Sequence, residues 1–207
     1  MHARLAGLFV TAFLFYSGPG MAADPKILAF GDSLTAGYGL PPTASFPARL
    51  QAKLQEMGVH AQVVNAGVSG DTTAGGLARL DAALAAKPDL IILELGANDM
   101  LRGVEPATVR ANLDTMIGKI KASGAKLLLT GIRAIPNWGE DYQHAFDRIY
   151  SELAKADGIT LYPFFLAGVA TDPSLNQPDG LHPNERGVAV IADRLAPVVA
   201  KLLGGAS

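Results

Sequence analysis

Five short apolar runs punctuate the chain, and a stretch with helical spacing follows each. Lys26–Phe30, Ala61–Asn65, Leu90–Leu95, Lys126–Thr130 and Thr160–Pro163 read as strands. Leu90–Leu95 is broken only by Glu94, the pattern of a central parallel strand buried on both faces. Between them, Phe46–Met57 reads as a helix ended by Gly58, and Thr73–Ala85 as one carrying Leu77, Leu80 and Leu84. Pro106–Ala122 starts with a proline near its first turn, and Tyr142–Ala156 and Glu185–Leu203 complete the set. Strand–helix alternation of this kind predicts an α/β fold, with a parallel sheet, right-handed crossovers and helices on both faces. Three connections are long: Ala97–Glu105, Gly131–Asp141 and Phe164–Asn184. Long loops in a compact domain are usually functional or mobile.

Before the first strand the pattern is different. A positive start, Met1–Arg4, leads into an apolar run, Leu5–Tyr16, and then a small-residue stretch ending in Ala22-Ala23. That is the layout of a secretory signal peptide, and the run is too short for a comfortable membrane span. The reading is therefore a signal over residues 1–23, cleaved near Ala22 or Ala23, and a single domain over residues 24–207. An uncleaved anchor is the alternative.

Composition narrows the chemistry. Hydrophobic residues make up 49% and charged residues 17% of the 207, as in a globular chain. The net charge of −2 offers no basic surplus for nucleic acid. The chain has no cysteine. Disulfides, thiol nucleophiles and cysteine metal sites are thus excluded, and the core must stabilise the fold alone.

In an open α/β sheet, ligands bind beyond the carboxyl ends of the strands. Polar, glycine-bearing segments follow four of the five: Gly31-Asp32-Ser33, Gly67-Val-Ser-Gly70-Asp71, Gly96-Ala-Asn98-Asp99 and Asp179-Gly-Leu-His182. Ser33 ends an apolar run in a way that presents a hydroxyl at the sheet edge, although serines there also cap helices. A serine nucleophile needs a base. Of the four histidines, His2 lies in the signal, His60 sits between helix and strand, and His144 is early in a helix. His182 is left, with Asp179 three residues earlier, close enough through a turn to orient an imidazole. Acyl transfer also needs oxyanion donors. The Ser33 N–H, the Gly70 backbone and the Asn98 amide can supply them. Gly70 equally fits a plain turn, and Asn98 an Asx-turn closing the strand. Apolar residues in two long connections (Ile132, Ile135, Pro136 and Trp138; Phe164, Phe165, Leu166 and Val169) either line an acyl groove or pack the loops onto the sheet. Gly75-Gly76 offers a hinge for the Gly70 loop.

These blocks carry a family resemblance. Phe-Gly-Asp-Ser33-Leu, Asn-Ala-Gly-Val-Ser-Gly70-Asp, Leu-Gly-Ala-Asn98-Asp and Asp179-Gly-Leu-His182-Pro, in this order, resemble the SGNH subgroup of the GDSL hydrolases. Gly-Leu-Ala-Arg79-Leu and Asn98-Asp-Met-Leu-Arg-Gly103 bring the chain nearer to the exported bacterial esterases, thioesterases and lysophospholipases of that family. The resemblance implies a flavodoxin-like three-layer α/β/α sandwich with a five-stranded parallel sheet. It implies Ser33, Asp179 and His182 as catalytic residues, Ser33, Gly70 and Asn98 as the oxyanion hole, and no metal or cofactor. The expected substrate is a small-molecule ester or lysophospholipid, with thioesters as a further class. The expected location is the periplasm, with secretion as the alternative, and with no nucleic acid partner and no membrane span after signal cleavage; the oligomeric state is left open, a monomer being favoured. A carbohydrate O-deacetylase on the same frame is the alternative activity. The chain lacks the Gly-x-Ser-x-Gly elbow of ordinary α/β-hydrolases.

Overall fold

A computed structural model describes residues 23–204. Most of the segment read as an export signal, residues 1–22, lies outside the described residues. Five strands form one parallel sheet: β1 (Lys26–Gly31), β2 (Gln62–Gly67), β3 (Leu90–Glu94), β4 (Lys126–Thr130) and β5 (Thr160–Tyr162). Their order is β2-β1-β3-β4-β5. The chain steps from β1 to β2, crosses back over β1 to β3, and continues outward. With right-handed crossovers, that reversal puts the helices of the two directions on opposite faces. The result is the expected three-layer, flavodoxin-like arrangement, with its switch point between β1 and β3.

The helices are α1 (Ser33–Ala36), α2 (Phe46–Glu56), α3 (Thr73–Leu84), α4 (Ala97–Leu101), α5 (Pro106–Ser123), α6 (Glu140–Asp157) and α7 (Glu185–Leu203). On one face α2 packs against α7, and on the other α5 lies between α3 and α6. All five residues of β3 are buried, as its unbroken apolar run requires, whereas β2 at the sheet edge is only partly covered. No helix among the described residues is long and apolar enough to cross a membrane.

Two helices are absent from the sequence reading. α1 and α4 span four and five residues, too short for an apolar stripe to repeat. End contacts hold α1 instead: the Asp32 side chain accepts from the Leu34 N–H, and Gly37 closes the helix in the left-handed region at φ 83°. α6 begins at Glu140, two residues before the expected Tyr142, and its first turn gains Glu140 and Asp141 beside the positive end of the helix dipole. Gly75 and Gly76 do not form a hinge. Both lie inside α3, and a Cβ on Gly76 would collide with Leu95.

The end of β2 sets the position of α1. A Cβ on Gly67 would stand 2.7 Å from Ala36 Cα and 2.9 Å from the Asp32 carbonyl, so only a glycine lets strand and helix backbones meet. Asn65 secures the same junction, donating to the Ala36 carbonyl at 3.2 Å while accepting from the Gly67 N–H at 3.0 Å. Gly67→Ala is therefore expected to lose about 1–3 kcal/mol of stability through overpacking. Gly118→Ala, in α5, where a Cβ meets nothing within 4 Å, is expected to gain about 0.5–1 kcal/mol. Urea unfolding of the two variants beside the parent checks both signs.

Candidate active site

Ser33 is the first residue of α1, directly beyond the carboxyl end of β1. Its Oγ lies 2.9 Å from His182 Nε2, and His182 Nδ1 lies 2.7 Å from Asp179 Oδ2. The short turn before α7 shapes this row. The Asp179 carboxylate accepts from the backbone N–H groups of Leu181 (2.9 Å) and His182 (3.0 Å) through Oδ1, leaving Oδ2 for the ring. These bonds, the one from the His182 N–H foremost, hold the Asp179 carboxyl down at about 2. Asp179 is thus an acceptor at any working pH, which puts the imidazole proton on Nδ1 and leaves Nε2 free to accept from the serine hydroxyl.

Of the other two predicted residues, Gly70 lies in the turn after β2 and Asn98 on α4. Gly70 adopts φ 85°, a conformation that favours glycine, and its carbonyl accepts from Arg102 at 3.0 Å. Asn98, in the first turn of α4, uses Nδ2 twice: toward Asp71 O at 2.9 Å and toward Asp32 Oδ2 at 3.2 Å. One amide therefore bridges the residue after Gly70 and the residue before Ser33. Its neighbour Asp99 accepts from both the N–H (2.8 Å) and the hydroxyl (2.7 Å) of Thr73, tying α4 to the start of α3. His60 and His144 lie away from this cluster, before β2 and in α6.

The sequence reading quotes Arg79 only within a family motif and gives it no role. Arg79 on α3 binds Asp71 Oδ2 (2.6 Å), the Ala66 carbonyl (2.8 Å) and the Gly31 carbonyl (2.9 Å), and its guanidinium lies 3.9 Å over the Phe30 ring. It thus fastens the ends of β1 and β2 to the Gly70 loop. A cavity of about 200 Å³ opens beside Ser33 and His182. Ile132, Ile135, Phe164 and Leu166 line it, together with Met100 and Leu101 of α4. Phe165 and Val169 are core residues instead, at 1% and 0% exposure. Trp138 donates its indole N–H to the Met100 carbonyl at 2.8 Å and so braces α4 from outside the cavity.

Beneath Ser33 sits a buried pair of acids. Glu94 Oε2 accepts from the Asp32 N–H at 3.3 Å and from the Thr35 hydroxyl at 2.8 Å. A carboxylate interrupting an otherwise apolar buried strand was the available signal for it. Burial, then the Asp32 charge, raises the Glu94 carboxyl well above its usual range. Burial also raises Asp32 to about 6, against the lowering effect of its bonds from Leu34 and Asn98. The fold therefore favours protonated Asp32. That contribution is complete below pH 3.8, where the unfolded group also protonates, and is lost as pH rises through 6. Asp32→Asn, neutral throughout, escapes this loss. Between pH 4 and pH 8 its stability relative to the parent should rise by on the order of 2 kcal/mol. Urea unfolding at the two pH values measures the difference, and an unchanging one would refute the assignment.

Residues 29–190 match the GDSL-like Lipase/Acylhydrolase family. The chain is 44% identical to Esterase TesA of Pseudomonas aeruginosa over 88% of this chain and 91% of that protein. It is 43% identical to the Arylesterase of Vibrio mimicus, covering 95% and 98% respectively. It is also 43% identical to Thioesterase 1/protease 1/lysophospholipase L1 of Escherichia coli K12, covering 84% and 83%. The crystal structure of TesA superposes with a TM-score of 0.81 over 86% of this chain and 99% of that one. With its sheet order, its strand-end blocks and these relatives in agreement, the chain belongs to the GDSL-like lipase/acylhydrolase family.

Proposed function

We propose that the protein is a serine ester hydrolase acting through an acyl-enzyme. The observation that carries this reading is the hydrogen-bonded row Ser33–His182–Asp179 at the mouth of an apolar cavity. Ser33 Oγ attacks the acyl carbon while its proton passes to His182 Nε2, and the Asp179 carboxylate steadies the imidazolium. The oxyanion is held by the N–H groups of Ser33 and Gly70 and by the Asn98 amide. The longer of that amide's two bonds, 3.2 Å to Asp32, is the one given up to the oxyanion. The alcohol or thiol leaves with the proton from His182. Water, activated by the same base, then releases the acid and restores Ser33.

The cavity suggests what is cleaved. About 200 Å³ is below the roughly 300–1,000 Å³ of pockets that enclose a drug-sized ligand. It suits one acyl chain, with the leaving group outside. Aryl esters and lysophospholipids, each carrying a single acyl chain, fit that description. Together with the signal-like start of the chain, they point to an exported, periplasmic enzyme working on oxygen esters, since acyl-CoA is mostly cytoplasmic.

Ser33→Ala and His182→Ala should each lower kcat by at least about 10³-fold, and Asn98→Ala by roughly 10²–10³-fold. Hydrolysis of p-nitrophenyl esters measures all three, and near-parental activity of Ser33→Ala would sink the proposal. Activity should also fall on the acid side as the imidazole base takes up a proton. A panel of p-nitrophenyl esters, lysophosphatidylcholine and acyl-CoA should show the oxygen esters turned over at higher kcat/KM than the thioester.

A further inference from the structure

Tyr38 follows the turn that closes α1, and its side chain is 53% exposed. Half in water, it does little for the core. Yet its ring centroid lies 4.6 Å from that of His182, with the planes 38° apart. That is the range in which an aromatic face stabilises a cation. The contact is built from both sides. Gln177 Nε2 donates to the Tyr38 carbonyl at 2.7 Å and to the Pro183 carbonyl at 3.0 Å, and the Gln177 N–H donates to the His182 carbonyl at 2.7 Å. One glutamine thus straps the turn after the nucleophile to the turn that carries the base. Gly39 allows the strap to close, because a Cβ there would collide with the Gln177 amide oxygen.

Resting on the proposed role of His182 as base, we propose that Tyr38 is a positioning residue that lies against the imidazole and stabilises the imidazolium formed when Ser33 gives up its proton. The ring does work that Asp179 does not. Asp179 binds the edge of the imidazole through Nδ1, whereas Tyr38 lies close enough to act on its face and, exposed as it is, limits water there. Other titratable or charged groups at this end of the sheet are Asp32, which interacts with His182, Arg133 on the cavity lining, and Glu185 and Arg186 at the start of α7, with Glu185 paired to Arg49 at 3.3 Å. Tyr38→Leu alters none of them.

The test compares the parent with Tyr38→Leu, Tyr38→Gln, Tyr38→Phe and Ser33→Ala. Stabilised imidazolium makes His182 easier to protonate, so removing the ring has two linked effects. The plateau kcat falls about two- to fivefold, and the acid limb of the kcat/KM profile moves to lower pH. Tyr38→Phe keeps the ring and recovers both values, and thermal midpoints stay close to the parent's. Titration of the His182 ring by NMR reads the same displacement in the free enzyme, independent of turnover. The proposal is overturned if Tyr38→Leu and Tyr38→Gln keep the parental kcat, or if the acid limb and the ring titration stay in place or move to higher pH. Failure of the underlying reading shows separately, as esterase activity that survives in Ser33→Ala.

Discussion

A 2.9 Å hydrogen bond between Ser33 Oγ and His182 Nε2 joins two turns 149 residues apart. A contact that short across so much chain survives only if both turns are anchored to one rigid body. The sheet supplies that body. Ser33 stands where β1 ends, an interior strand of the sheet, and His182 precedes α7, which packs on α2. Arg49–Glu185 at 3.3 Å and Lys53–Asp193 at 3.1 Å run between α2 and α7. Both pairs are solvent-exposed and contribute little energy. Apolar packing carries the alignment, with Leu50, Leu54, Val188, Ile191 and Leu195 all buried.

The same constraint explains where the fold gives up stability. Presenting a hydroxyl at the tip of an interior strand brings the start of α1 and the end of β3 together in the core, so Asp32 and Glu94 are both fully buried. Burying a carboxyl pair is costly, and the raised affinity of both for protons expresses that cost. In return Asp32 caps α1 through the Leu34 N–H and holds one hydrogen of the Asn98 amide. The strain of the site is therefore electrostatic, stored beneath the serine, while the row above it stays hydrogen-bonded and partly open to water.

Much of this was legible in residue order. The apolar run of β3 predicts a central buried strand because a parallel sheet covered on both faces has no polar side. Ser33, Asp179 and His182 stand out because each sits in a glycine- or Asx-rich turn beyond a strand, where this architecture collects its chemistry. The clamps were less legible. Arg79 reaches partners 8, 13 and 48 residues away, and nothing local marks an arginine on an amphipathic helix as one that turns inward. Tyr38 and Gln177 are ordinary loop residues until the fold brings their turns together. Phe165 and Leu166 are adjacent and both apolar, yet one enters the core and the other lines the cavity, because chain direction in a loop is set by packing and not by composition.

The central claim is that Ser33 carries the acyl group, and covalent trapping tests it most directly. The protein is treated with an alkyl p-nitrophenyl phosphonate, which transfers its phosphonyl group to an activated serine, and the digest is mapped by mass spectrometry. The account predicts a single adduct, on the peptide containing Ser33, formed in parallel with loss of esterase activity. Loss of activity with Ser33 unmodified, or full activity with Ser33 modified, would contradict it.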